Sequence, residues 1–221
     1  MARVLRLRPG DRVAAVGSGD QEAVVVLEEV GRKGARGRVE EVRRKDTESS
    51  LRFWLAQGLP RGEKMAWVVQ KATELGVERI FPVLTSRSVA RPDREVLASR
   101  VQRWEEIARE AAEQAGRTRI PRVEAPASLT EVLEELKKAS LFLIPWEEER
   151  EQKLHQALRG RLARGTVLSF LIGPEGGLTR EEVESCRREG GVTVSLGSRL
   201  LRTETAGAVL MAAALYEAGE L

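Results

Sequence analysis

Two stretches of this 221-residue chain are made of residue types that neither helices nor strands favour. The first, Ile172-Gly-Pro-Glu-Gly-Gly177, directly follows an apolar run. The second, Leu196-Gly-Ser-Arg-Leu-Leu-Arg-Thr-Glu-Thr-Ala206, leads from another apolar run into a helix of small residues. Loops at the carboxyl ends of parallel strands are where α/β sheets bind ligands. Glycines there permit unusual backbone angles and let a ligand approach the main chain. A phosphate cradle does not fit, because the first loop lacks the Lys-Ser/Thr of a P-loop. No G-x-G-x-x-G exists either: Gly17-Ser-Gly19 has Glu22 where the third glycine would stand. A nucleoside without phosphates fits better, since adenine can be held by main-chain N–H and C=O groups in an apolar slot. Taken alone, Gly-Pro-Glu-Gly-Gly also reads as a tight turn.

The elements that must position these loops follow from periodicity. Residues 4–7, 12–16, 23–30, 38–42 and 51–59 are short alternating or β-branched runs, separated by glycine-rich turns such as 17–20 and 31–34. They predict a small N-terminal β-barrel or sandwich. The grammar changes at Pro60-Arg-Gly62, so the expected domain boundary lies there, giving domains 1–62 and 63–221. Met65, Val68, Val69, Ala72 and Leu75 recur at helical spacing, and Gly76 stops the helix. Strands are then expected at 79–84, 120–123, 141–146, 167–172 and 192–196, and helices at 94–115, 129–139, 148–158, 179–189 and 204–218. Thr179-Arg-Glu-Glu182 forms a capping box at the start of one of them. Strands alternating with helices imply crossover connections and a mostly parallel sheet, so the fold class is α/β. The last helix is apolar or small nearly all round, which predicts burial on all sides, either by its own sheet or partly by a second subunit.

Composition narrows the chemistry. One cysteine, Cys186, excludes a disulfide framework and a cysteine-based zinc site. One histidine, His155, leaves a His-rich metal site or a Ser-His-Asp triad without partners. The longest uncharged apolar run, residues 206–216, falls short of the roughly 18 residues a membrane span needs. The arginine-interrupted start does not read as a signal-peptide core, so a cytoplasmic location is expected. The net charge is +3, with +4 in residues 1–64 and −1 in the rest. That imbalance hints at a polyanion partner for the N-terminal part, although a solvated charged surface accounts for it equally.

The two glycine-bearing segments resemble the signature segments of the ribosomal RNA small subunit methyltransferase E family, SPOUT-superfamily enzymes. Three further stretches are similar to the same family in the same order: Lys64-Met-Ala-Trp-Val-Val-Gln-Lys-Ala-Thr-Glu-Leu-Gly76, Thr85-Ser-Arg-Ser-Val89, and Glu113-Gln-Ala-Gly-Arg117 with Pro121. The resemblance covers about two-thirds of the chain; it departs at Leu178, where a larger aromatic is expected, and at Ser86, where an acidic residue is common. It implies a PUA-like RNA-binding barrel followed by an α/β domain with a deep trefoil knot. It further implies a homodimer that uses S-adenosylmethionine to methylate N3 of one uridine near the 3′ end of 16S rRNA, presented in the 30S subunit. Cofactor contacts carried over are Ile144, Pro145 and Trp146 in one loop, Gly173, Pro174, Glu175, Gly176 and Gly177 in the second, and Leu196, Gly197, Leu201, Thr203, Thr205 and Ala206 in the third.

The chemistry required is alkylation of a weak nucleophile. Uracil N3 must lose its proton before or during transfer, whereas a sulfonium is already an activated methyl donor and calls for no metal. Arg202 is the candidate for stabilising charge on the uracil, and Glu204 for orienting it or receiving the proton. Thr203 and Thr205 also read as caps of the last helix. Arg87 and Arg117 are candidates for gripping uridine or a phosphate. In the β module, Arg3, Arg6, Arg8 and Arg12 form one candidate RNA-facing edge, and Arg32, Lys33, Arg36 and Arg38 a second cluster. Trp54, Trp67 and Trp104 read as core or interface anchors, Trp146 as the tryptophan nearest the cofactor. Alternatives are a SPOUT enzyme acting on a ribose 2′-hydroxyl or on tRNA, and a non-catalytic RNA-binding assembly factor.

Overall fold

A computed structural model describes residues 7–16, 21–31, 34–44, 47–88 and 93–221. They divide into two compact units: the residues up to Glu48 together with Gly116–Arg119, and Ser49–Ala115 together with Ile120–Leu221.

The first unit contains three antiparallel strands, β1 (Arg12–Val16), β2 (Gln21–Val30) and β3 (Ala35–Arg44), in the order β1-β2-β3. Register shifts at Val24/Val25 and Leu27/Glu29 mark bulges, which sharpen the local twist. The buried Glu22 carboxylate accepts from Arg43 across the β2–β3 pair, Nη2 to Oε2 at 2.7 Å. Among the described residues these three strands form one antiparallel sheet. Most of the strand expected at 4–7, with Arg3 and Arg6, lies outside the described residues, as do Arg32 and Lys33.

The second unit runs β4 (Arg52–Gly58), α1 (Lys64–Glu74), β5 (Val77–Leu84), α2 (Arg94–Gln114), β6 (Arg122–Val123), β7 (Ala127–Ser128), α3 (Leu129–Leu136), β8 (Leu141–Pro145), α4 (Leu154–Leu158), β9 (Val167–Ile172), α5 (Arg180–Arg188), β10 (Val192–Val194) and α6 (Thr203–Glu217). Its strands form a parallel sheet in the order β10-β8-β9-β4-β5-β6, with β7 pairing with β5. Alternate residues of each strand point to opposite faces. Phe53 and Leu55 of β4, with Phe170 and Ile172 of β9, meet Val68, Val69, Leu210 and Met211 of α1 and α6. Trp54 and Ala56, with Leu171, meet Val132, Leu136, Val183 and Cys186 of α3 and α5. The rings of Phe53 and Phe170 stack at 5.9 Å between centroids.

This two-sided burial corrects the domain boundary. Residues 51–59 were expected to close the N-terminal module, but β4 is a central strand of the parallel sheet, paired with β5 and β9. A strand buried on both faces needs helices on both sides, which a small antiparallel module does not provide. The division therefore falls after Glu48 rather than at residue 62.

Two other elements differ from expectation. Only residues 154–158 of the stretch 148–158 are α-helical. Upstream, the Glu149 carboxylate accepts the backbone N–H groups of Glu151 and Gln152, a local arrangement that competes with helix formation. Helix α6 buries Ala206, Gly207, Leu210, Met211 and Ala214 but leaves Val209 and Tyr216 exposed, so the described residues cover only part of its surface. A Cβ on Gly207 would lie 3.1 Å from Leu55, which shows how closely α6 lies on the sheet. No helix among the described residues is long and apolar enough to cross a membrane.

Candidate active site

The chain lays β5 and β6 on one side of β4, then returns to the other side with β8, β9 and β10. Neighbours β4 and β9 are followed by helices on opposite faces, α1 on one and α5 on the other. A crevice opens at the carboxyl ends of two such strands, the usual ligand position in an open α/β sheet.

Side chains from three separate segments meet in that crevice. Gln57, fully buried at the end of β4, donates from Nε2 to Thr203 Oγ1 at 2.8 Å and to the Gly58 carbonyl at 3.0 Å. Thr203 Oγ1 in turn donates to the Gly173 carbonyl at 2.5 Å. Thr203 therefore ties the start of α6 to the glycine turn. It is not the helix cap it was also read as: the N-cap position is Arg202, and no side chain caps it.

The turn itself is closely packed. Gly177 N donates to the Pro174 carbonyl at 2.9 Å. Gly177 has φ +70°, a left-handed conformation, and a Cβ there would sit 2.7 Å from Glu147 Oε1. Arg87 Nη1 donates to the Gly176 carbonyl at 2.6 Å, so this arginine holds the turn from outside. Loop 146–153 is laced to the end of β10, with Trp146 N donating to the Val194 carbonyl at 3.1 Å and Ser195 N to the Gln152 carbonyl at 2.8 Å. Thr193 Oγ1 donates to Glu149 at 2.6 Å and holds its carboxyl below the usual range, while the Arg187 guanidinium lies 5.4 Å from the Trp146 ring centre. All three loops read from the sequence thus lie at one end of the sheet. Ile144 itself is fully buried in β8, Pro145, Leu196, Leu201 and Thr205 are half-buried, Ala206 is buried, and Gly197 is exposed.

A fourth segment, residues 59–64, was not anticipated. The Glu175 carboxylate accepts the Arg61 backbone N–H at 3.1 Å and Lys64 Nζ at 2.6 Å. Burial pushes the Glu175 carboxyl up, but the Lys64 hydrogen bond and backbone N–H groups outweigh it and leave it below the usual carboxylate range. Lys64 is raised in turn, chiefly by that hydrogen bond. Its Nζ also lies 3.7 Å from Glu204 Oε2. The Glu204 side chain is 15% exposed, and its Oε2 is shielded from solvent with no hydrogen-bond partner among the described residues. Gln57 Oε1 is likewise buried without a hydrogen-bond partner among the described residues. Arg202 Nη1 stands 4.0 Å from Glu204 Oε1, with its side chain 81% exposed. A signal for Lys64 existed in the sequence: it occupies the first turn of a helix, whose positive end disfavours a cation.

Arg117 does not join this group. It belongs to the first unit, where its side chain is 5% exposed and donates to Glu48 Oε2 at 2.6 Å, while Glu48 Oε1 accepts the N–H groups of Thr118 and Arg119. It is thus engaged in a buried ion pair rather than presented to solvent. Arg12 is exposed but paired with Glu40 at 2.9 Å, and the exposed Arg8 donates its backbone N–H to Asp11. Arg36 and Arg38 are exposed on β3. Cys186 is buried, its thiol pushed up to about 12 by desolvation, which makes it a packing residue. His155 is exposed.

A parallel α/β unit with glycine turns and unpartnered polar atoms at its switch point is a ligand-binding enzyme scaffold, and residues 47–215 match the model of the RNA methyltransferase domain. Ribosomal RNA small subunit methyltransferase E of Bacillus subtilis is 34% identical, over 98% of this chain and 86% of that protein. Its counterpart in Mycobacterium tuberculosis is 31% identical, over 96% of this chain and 80% of that protein. Among solved structures, the Neisseria gonorrhoeae methyltransferase E bound to S-adenosylmethionine superimposes with a TM-score of 0.84 at 30% identity, covering 97% of this chain and 86% of that one. A Legionella pneumophila methyltransferase with bound S-adenosylmethionine gives 0.88 at 32%, with the same coverage. The chain belongs to the ribosomal RNA small subunit methyltransferase E family.

Proposed function

We propose that this protein binds S-adenosylmethionine and methylates N3 of a uridine near the 3′ end of 16S rRNA, within the assembled 30S subunit. The observation that carries the reading is the shielded Glu204 Oε2, which has no hydrogen-bond partner among the described residues. A buried acceptor without a donor is costly unless a ligand supplies one, and the imide N3–H of uracil is such a donor.

The crevice suits the cofactor. Gly173–Gly177, Leu196, Gly197, Leu201 and residues 144–146 offer main-chain groups and apolar walls for an adenosine, with Glu175, Thr203, Thr205 and Ala206 fixing the surrounding backbone. When bound, S-adenosylmethionine supplies an activated methyl group. The protein's own residues do the rest. Glu204 accepts the N3 proton or orients the group that does, and Arg202 places positive charge toward the uracil carbonyls, where negative charge develops. Arg87 fixes the turn through one guanidinium nitrogen and retains other donors for the uridine or a phosphate.

The N-terminal sheet, which we read as PUA-like, contributes phosphate contacts through Arg8, Arg12, Arg36 and Arg38, with Arg3 and Arg6 outside the described residues. The loops around the crevice belong, in this reading, to a trefoil knot. The exposed Val209 (38%) and Tyr216 (74%) on otherwise apolar α6 support a homodimer through that helix. Action on ribosomal subunits places the protein in the cytoplasm.

Incubation of purified protein with 30S subunits and labelled cofactor, followed by mass spectrometry of the nucleosides, is expected to give 3-methyluridine at one 16S position. A 2′-O-methyl nucleoside or a tRNA product would replace this reading with another SPOUT activity. Calorimetry showing no cofactor binding would favour an RNA-binding assembly factor.

A further inference from the structure

Four charged groups form an alternating chain across the crevice: Arg202, Glu204, Lys64 and Glu175, with successive separations of 4.0, 3.7 and 2.6 Å. Glu175 belongs to the glycine turn after β9, and Glu204 to the first turn of α6. Lys64 belongs to neither. It arrives on the β4–α1 connection, beside the Arg61 N–H that also binds Glu175. Among the described residues, Lys64 is the cation that contacts both carboxylates. It stands in the first position of α1, where the helix dipole opposes it and no acidic residue of that first turn offsets it. A charge held against local preference, between two loops that must stay aligned, marks a constraint set by the site rather than by the helix.

From these observations we infer that Lys64 is a positioning residue for methyl transfer: it spans Glu175 and Glu204 and fixes the proton-accepting carboxylate relative to the turn that holds the cofactor. The inference rests on the reading of Glu204 given above and adds the residue that acts through it. Removing the ammonium leaves the shielded Glu204 Oε2 without the cation nearest it, so the carboxylate moves toward Arg202 and solvent. Its alignment with uracil N3 is then lost, whereas the main-chain contacts of the turn persist. The loss therefore falls on kcat more than on cofactor affinity.

The test is a double-mutant cycle, read as single-turnover methyl transfer to 30S subunits at saturating cofactor. Lys64→Met is expected to reduce the rate about tenfold or more in the wild-type background, but less than about twofold when Glu204 is already Gln. Lys64→Arg, which keeps the charge and the reach, is expected to recover most of the rate. Equal fold-losses in the two backgrounds, or full activity of Lys64→Met, would overturn the inference. Thermal melts of every variant separate a folding defect from a positioning one, and Lys64→Arg keeps the test decisive if Lys64→Met does not fold. Full activity of Glu204→Gln by itself would instead remove the proton-acceptor reading, and this inference with it.

Discussion

Glu204→Gln is expected to slow methyl transfer by about 10²–10⁴-fold with little change in S-adenosylmethionine affinity, the range typical of losing a positioned acid–base group. The amide keeps the size of the side chain but cannot take a proton. Among the described residues Glu204 Oε2 makes no hydrogen bond, so the substitution gives up at that oxygen only the 3.7 Å ion pair with Lys64, and stability should change little. Arg202→Ala is expected to cost about 10²–10³-fold, as for a lost charge-stabilising donor, and again to spare folding because the side chain is 81% exposed. Rapid-quench transfer rates, with calorimetric cofactor affinities in parallel, measure both. Rates close to wild type in both variants would take the chemistry away from this pair.

Gly173→Ala is expected to weaken cofactor binding about tenfold or more, equivalent to about 1.4 kcal/mol. The added Cβ would lie 2.9 Å from the Gly177 carbonyl carbon and 3.0 Å from Leu178 N. Both are backbone atoms, so the turn itself must open rather than a side chain swing aside. Overpacking of this kind costs about 1–3 kcal/mol, so a fall of a few degrees in Tm should accompany it. The control is Gly160→Ala. Gly160 has a positive φ, +70°, and faces open space between α4 and β9. It should lower Tm through backbone strain while leaving cofactor affinity intact. If Gly173→Ala binds S-adenosylmethionine as tightly as the wild type, the cofactor does not sit on this turn.

How far the site was legible depended on whether a signal was local. The glycine turn and the Leu196–Ala206 segment stand out because glycine, proline and clustered polar residues interrupt apolar runs, and turn chemistry is a property of adjacent residues. Arg202 and Glu204 sit in one such segment, so they came with it. Gln57 carries no such signal, because a glutamine near the end of a strand has no distinguishing local pattern; its role arises only when β9 and α6 are brought against β4. Arg117 shows the opposite failure. Its sequence context suggests a grip on RNA, but whether an arginine meets solvent or Glu48, 69 residues away in the chain, is decided by the fold.

The α/β elements were set by hydrophobic periodicity and by helix-end residues, which act within a few positions, and so the order of strands and helices after residue 62 could be read almost in full. Partner choice between strands was not local. Residues 51–59 carry the same apolar run whether they close a small β module or centre a parallel sheet. Burial of both its faces by helices, α1 and α6 on one and α3 and α5 on the other, made it the latter. The same long-range placement set Lys64 between Glu175 and Glu204, because electrostatic contact depends on distance in space and the chain brings those three together only by folding.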